Sequence, residues 1–381
     1  MIQLTKRGIF AKKLSHGVRV AYALCGFDVW YLDDSKISTV ALVIATLQLV
    51  LSITFPIFSW TGVALYVDTA RQMQPIDKIF NIFNLFSWII YGVTLVTYAV
   101  FRLKQFKNRR ICGKELRRIH KNFEKFGIEM GNVGRDFYLF LILFLAFVTS
   151  GLQGVFQYIC AHGKISIWKI CSEICMSTMN IFIDFDFIGG IYLLYLLYKT
   201  LNGQCYLLKE ISDSIRYQIA IVKFIREQHQ ELASLTQSIV NAYEFPLILS
   251  VVRITLLSIM KMYAIYVLPP VLSKTDVTWL ICDIILFITL QALRIFMMCS
   301  ICTLMTSEAN RTDTILSEVE SNNPYLYMRH ERSNLSLYLR QQNVRIRPWN
   351  MFEINNGLFA SVIGAILVYL FYFVDRSEVK Q

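Results

Sequence analysis

The sequence predicts an all-α, polytopic membrane protein with seven transmembrane helices, a cytoplasmic N-terminus, an extracellular C-terminus and helices that continue into the cytosol. Three observations predict it. The 381 residues are 55% hydrophobic and 17% charged, where a soluble chain carries about 25% charged residues. Four runs, Ile37–Val67, Ile79–Phe101, Phe137–Ala161 and Ile354–Val374, contain no Asp, Glu, Lys or Arg, and three more, Met176–Tyr198, Phe245–Leu268 and Val277–Thr306, carry only isolated charges. A bilayer crossing takes about 20 such residues. Finally, 28 of the 38 Lys and Arg fall before the first span and in the links after the second, fourth and sixth, against seven in the alternate links and the tail. Positive-inside bias then orients the chain. In a membrane protein the net charge of +11 reports this loop asymmetry, so no nucleic-acid partner follows from it.

In chain order, residues 1–36 form a basic cytoplasmic N-terminus. They lack an apolar core before a small-residue cleavage site, so the first span is expected to act as its own targeting signal. Ala21–Leu32 is semi-apolar and aromatic, as an interfacial segment would be. The first span contains Pro56 and is long for one crossing, which calls for tilt or a kink. Pro75 precedes the second span, which carries Asn81, Asn84, Trp88 and Tyr91. The basic stretch Arg102–Arg135 follows, directly after a span on the cytoplasmic face. Contact with anionic headgroups is the reading for it, over nucleic-acid or calmodulin binding.

The third span places Thr149, Ser150, Gln153 and Gln157 in its outer half. Past the fourth span, Ile211, Ile215, Ile219 and Val222 keep helical spacing, and Leu232, Leu235 and Ile239 repeat it. Leu201–Phe245 therefore reads as a helical hairpin extending the fourth and fifth spans into the cytosol; a surface-lying amphipathic pair is the alternative. Pro269-Pro270 forces a tight link to the sixth span. After it come a polar stretch, a short amphipathic helix around Leu335, Tyr338 and Leu339, and a turn-rich connector. The resulting divisions are 1–36, a six-helix region 37–306, a cytosolic helix and connector 307–353, and the last span with its tail, 354–381.

Charges inside spans usually face protein or water rather than lipid. Lys261 lies about 10 Å below the outer end of the fifth helix at ~1.5 Å per residue. Asp283 sits at similar depth across the Pro-Pro link, so the two are placed to form a structural ion pair. Asp184 and Asp186 fall in the outer half of the fourth span on nearly opposite faces, where one can face a pocket. Arg253 and Arg294 are assigned to the inner third, within snorkelling reach of the cytoplasmic interface. The candidate ligand site gathers outer-half polar and aromatic residues of the second to sixth helices: Asn84, Trp88, Gln153 and Gln157, with Asn180, Asp184, Tyr263 and Tyr266. Apolar walls with a few polar groups are the composition of a small-molecule pocket; interhelical packing and hydrogen bonding use the same residue types.

Nine cysteines show no zinc spacing, and Cys160, Cys171 and Cys175 lie at predicted extracellular ends where either a disulfide or free thiols fit. The histidines His16, His120, His162, His229 and His330 are scattered, with no HExxH or His-carboxylate cluster. No catalytic or metal site and no cofactor is expected, and the reading is not that of an enzyme. A G-protein-coupled receptor needs the opposite orientation, and neither Asp-Arg-Tyr after the third span nor Asn-Pro-x-x-Tyr in the seventh is present. Seven spans do not divide into the paired halves of many secondary transporters.

Phe352-Glu353-Ile354 followed by Gly357-Leu358-Phe359, with Tyr369 in the apolar helix, resembles the C-terminal signature of the insect chemoreceptors, and among them the gustatory receptor family. Val368 replaces the motif threonine, and Asp375-Arg376 stand where that family has Gln-Phe. The resemblance implies a homo- or heterotetrameric ligand-gated, non-selective cation channel in the plasma membrane, opened by a small nonvolatile tastant. Bitter or other compounds are favoured over sugars because the pocket set holds few carboxylates. It further implies a cytosolic helical anchor and a pore lined by the seventh helix, with Tyr369, Phe371, Tyr372, Asp375 and Arg376 along it. A carboxylate ring at Asp375 would concentrate cations, and an arginine ring beside it would oppose that.

Overall fold

The computed structural model describes residues 75–125, 167–210, 215–267, 274–320 and 326–378, with the single positions Val43, Val50, Thr54, Val148, Gly151, Leu152 and Val155. Apart from those positions, the predicted first and third spans lie outside the described residues. So do Ala21–Leu32, Gln153, Gln157 and Cys160. The described helices are α1 (Pro75–Lys125), α2 (Ile167–Glu210), α3 (Ile215–Val267), α4 (Lys274–Glu320), α5 (Leu326–Gln341) and α6 (Asn356–Glu378), with a 3-10 turn at Pro348–Asn350.

The first four helices have 51, 44, 53 and 47 residues. At about 1.5 Å per residue each is more than twice as long as the ~30 Å hydrocarbon layer is thick. Among the described residues, Gln218–Tyr263 and Ile281–Ile315 are long and apolar enough to cross a membrane, and Ile89–Phe101 and Asn356–Tyr372 are shorter apolar stretches. Beyond such stretches the helices persist because one face stays apolar. In α1, Cys112, Leu116, Ile119 and Phe123 are buried while Lys104, Lys114, Lys121 and Lys125 are exposed. The basic stretch expected along the headgroups is thus, through Lys125, the continuation of α1. Its apolar side packs on α3, with Phe123 edge-on to Phe224 at 5.6 Å.

The expected hairpin is present as α2 running to Glu210 and α3 starting at Ile215. Val222, Leu232, Leu235 and Ile239 are buried in it and Ile219 is partly buried. α3 is the hub of the bundle, in contact with α1, α2, α4, α5, α6 and the 3-10 turn. It passes through Pro246 without ending. A mid-helix proline costs about 3 kcal/mol in isolation, and here the buried Ala242, Tyr243 and Leu247 hold both sides of it in the core.

The polar stretch after the predicted sixth span is helical too, carrying α4 to Glu320. Polar side chains hold this end together. Asn202 Nδ2 donates to the Glu308 carbonyl at 2.8 Å, and Thr312 donates to Asn202 Oδ1 at 2.7 Å. Ser336 and Arg340 of α5 both bond Asp313, at 2.5 and 3.0 Å. Asn310 brackets the connector, donating to the Val344 carbonyl at 3.2 Å and accepting its N–H at 3.0 Å. The connector closes on itself where Ile354 N–H donates to the Ile346 carbonyl at 3.0 Å. Asn355 then caps α6, its Oδ1 accepting the Leu358 N–H at 3.1 Å, the N3 donor that a helix leaves unpaired.

Candidate functional site

Within the apolar part of the bundle, α1 to α4 meet on a buried set of charges. Asn180 and Asp184 share one face of α2, four residues apart. Arg253 of α3 reaches both: Nη1 donates to Asn180 Oδ1 and Nη2 donates to Asp184 Oδ2 at 2.9 Å. Arg294 of α4 donates through Nη2 to the same Asp184 oxygen, and through Nη1 to Gln291 at 2.9 Å. Ser250 donates to the other Asp184 oxygen and accepts from Arg253 at 3.1 Å. The Arg253 guanidinium also lies 6.0 Å from the centre of the Tyr91 ring on α1. On the opposite face of α2, Asp186 accepts from Tyr98 of α1 at 3.4 Å and from Tyr243 of α3. All four charges are buried, and their formal sum is zero. That balance lets ions persist in a region of low dielectric.

Two expectations are corrected here. Arg253 and Arg294 do not snorkel to the cytoplasmic interface; they are buried against α2, because an acceptor lies within reach inside the bundle. Nor can Asp184 lie well outward while Arg253 lies well inward, since they touch. Both sit at one level of the bundle. Asp184 and Asp186 do lie on opposite faces of α2, and both carboxylates are engaged there.

A second pair lies nearer the α3–α4 link. Lys261 Nζ is 3.0 Å from Asp283 Oδ2 and 5.5 Å from the centre of the Phe287 ring. Of the other candidate ligand residues, Tyr263 is half-buried on α3. Asn84, Trp88 and Tyr266 are on α1 and α3, as Cys171 and Cys175 are on α2, with side chains outside the described set. The sequence signal for the central network was the tally of three carboxylates and three cations in the fourth to sixth spans. It did not say which would pair.

The second candidate region is α6. Leu358 and Phe359 pack on the core, with Phe359 edge-on to Phe296 of α4 at 5.4 Å, and Val362 and Ile366 are buried. From Leu367 onward no described residue of α6 is buried. Val368 is 66% and Phe371 69% exposed, and Tyr369, Tyr372 and Asp375 are exposed beside them. Arg376 is helical, with its side chain outside the described set. The helix runs past Asp375 to Glu378 rather than ending there.

Long helices that outrun a bilayer, joined through charges buried in their apolar stretches, define a multi-pass helical membrane protein. The chain belongs to the 7tm chemosensory receptor family, whose family model matches residues 25–375. Eighteen chains of solved structures also match. Among them is the insect olfactory receptor OR5 from Machilis hrabei in complex with eugenol, at 13% identity and a TM-score of 0.62 over 96% of this chain and 99% of that one. At that identity the likeness speaks for the fold. No curated protein sequence matches.

Proposed function

We propose that the protein is a gustatory receptor of the plasma membrane: a non-selective cation channel, tetrameric with itself or related subunits, opened by a small nonvolatile tastant of the bitter or another class. The observation that carries this reading is the outer half of α6. An apolar, aromatic helix that docks by its first three turns and leaves Val368, Tyr369, Phe371, Tyr372 and Asp375 uncovered by its own chain is built to meet other copies around a shared axis. In this reading the N-terminus is cytosolic, residues 307–353 belong to a cytosolic anchor, and Tyr369, Phe371, Tyr372, Asp375 and Arg376 line the conduction path. The ligand site is assembled from Asn84, Trp88, Gln153, Gln157, Tyr263 and Tyr266, with Asn180 and Asp184 as its floor. Those two act through the arginines they hold, since their side-chain oxygens are occupied. The protein performs no turnover and needs no cofactor.

Whole-cell recording of the chain, alone and with related subunits, tests this. Tastant-evoked cation current is expected, and Asp375→Asn is expected to reduce cation selectivity or conductance with the ligand's half-effective concentration unchanged. A broad tastant panel giving no current in any subunit combination would overturn the channel reading.

A further inference from the structure

The connector ahead of α6 holds an aromatic residue in a conformation that aromatic residues avoid. Trp349 has φ 48° and Asn350 φ 56°, the left-handed region where a side chain bearing a Cβ is strained. Turn hydrogen bonds fix the geometry: Asn350 N–H to the Arg347 carbonyl at 3.2 Å and Met351 N–H to the Pro348 carbonyl at 3.0 Å. The strain turns the indole outward. Its ring meets Phe245 of α3 at 5.3 Å, yet Trp349 remains 51% exposed and the neighbouring Met351 65%. Two large apolar side chains held in water by a strained backbone would be unfavourable twice over.

Their depth is set by what they touch. Phe245 is the first residue of one apolar run and lies 6.4 Å from Phe101, the last residue of another. Asn356, where α6 begins, donates its N–H to Thr303 near the end of a third run at 3.2 Å. Four apolar runs thus start or stop at one level, and the connector stands at that level. Beyond it the exposed surface is basic. Arg345 and Arg347 share the single carboxylate of Glu353, at 3.9 and 3.1 Å, leaving one excess positive charge, and the exposed Lys104 follows Phe101 within a turn. Tryptophan is enriched where the headgroups meet the acyl chains, and a basic cluster beside it favours anionic lipid.

We propose that Arg345–Met351 is a lipid-binding site. Trp349 and Met351 insert at the headgroup–acyl boundary, Arg345 and Arg347 face anionic headgroups, and the site fixes the level at which α6 enters the membrane. That the leaflet is the cytoplasmic one rests on the topology proposed above; the depth does not. The test is tryptophan fluorescence of the full chain in phosphatidylcholine–phosphatidylserine vesicles, with acyl chains brominated near the headgroup or near the bilayer centre. The emission that disappears on Trp349→Phe, or on Trp349→Tyr if the first variant does not fold, is the contribution of Trp349. That contribution should lose most of its intensity to shallow bromines and less to deep ones. No loss to either bromine overturns the site, whether the indole then faces water or a second copy. Greater loss to deep bromines overturns it as well. The result is independent of conduction, so a silent channel with shallow quenching would sink the functional reading alone.

Discussion

Asp184 accepts from two guanidinium groups and a hydroxyl, and its worth is best seen in what its removal leaves behind. Asp184→Ala leaves Arg253 and Arg294 buried, alike in charge and without a carboxylate. Breaking one side of a buried ion set costs about 3–5 kcal/mol, a large share of the roughly 5–15 kcal/mol that holds a typical protein folded. Thermal unfolding of the detergent-solubilised protein should show a marked drop in melting temperature, with surface expression reduced. Replacing the set together, as Asp184→Leu with Arg253→Met, Arg294→Met and Asp186→Asn, should restore most of the stability, because no ion is then left to desolvate. If this combined variant is no more stable than Asp184→Ala, the loss is not electrostatic. His229 gives a second residue-scale prediction. It is buried in the stretch of α3 before Phe245 that the charge bias places in the cytosol, with Nε2 3.2 Å from the Ala309 carbonyl and its ring 5.5 Å from that of Tyr198. Nε2 must carry the proton, which leaves Nδ1 buried and unpartnered. Burial holds its pKa below the ordinary 6.5. The unfolded chain therefore binds a proton at a higher pH than the folded one, so stability should fall as pH drops below about 6.5 toward the depressed folded value. Melting curves of wild type and His229→Gln over that window should diverge at the acid end; parallel curves would rule out this histidine as the cause.

At the scale of elements, the start of α6 depends on a few short-range contacts. Asn355 supplies the cap, and its loss should cost about 1 kcal/mol, read as a lower melting temperature for Asn355→Ala with Asn355→Asp retaining most of the stability. Gly357 belongs to the same device. A Cβ at that position would sit 3.0 Å from Asn355 Oδ1, so Gly357→Ala gains helix propensity worth up to ~1 kcal/mol while pressing on a cap of similar worth, and the net change should be small. The Gly-Leu-Phe of the family signature thereby acquires physical content: the glycine leaves room for the cap, and the leucine and phenylalanine dock the first turn on the core. The connector is likewise defined by pairing, with Glu353 across from Arg345 and Arg347 and Asn310 across from Val344. Composition alone showed a turn-rich linker there and gave no sign of which residues would clasp it.

For the whole molecule, orientation makes a prediction that does not depend on any ligand. Asn310-Arg311-Thr312 and Asn334-Leu335-Ser336 have the acceptor pattern for N-glycosylation, and both lie on the side that the charge bias places in the cytosol. Thr312 is also buried against Asn202, and Ser336 is bonded to Asp313. Neither sequon should acquire glycan, and a glycosidase-sensitive mobility shift mapped to Asn310 or Asn334 would overturn the topology and with it the cytosolic anchor.

The sequence by itself determined the class of protein, the positions where apolar runs begin and end, and the helical spacing of the hairpin beyond the fourth and fifth, because hydropathy and helical period are properties of neighbouring residues along one chain. That α1 runs on to Lys125 and α4 to Glu320 appeared only in the structure. The sequence also paired Lys261 with Asp283 across the Pro-Pro link. That Arg253 and Arg294 meet Asp184 inside the bundle, rather than reach for the interface, was decided in three dimensions. Partner choice depends on how α2, α3 and α4 are rotated about their axes and how far each is shifted along the membrane normal, and no local pattern encodes either. The same holds for Trp349, an ordinary connector residue in sequence. Only the fold brought it, with a left-handed backbone, to the level where the apolar runs of three long helices stop, beside the start of the last helix.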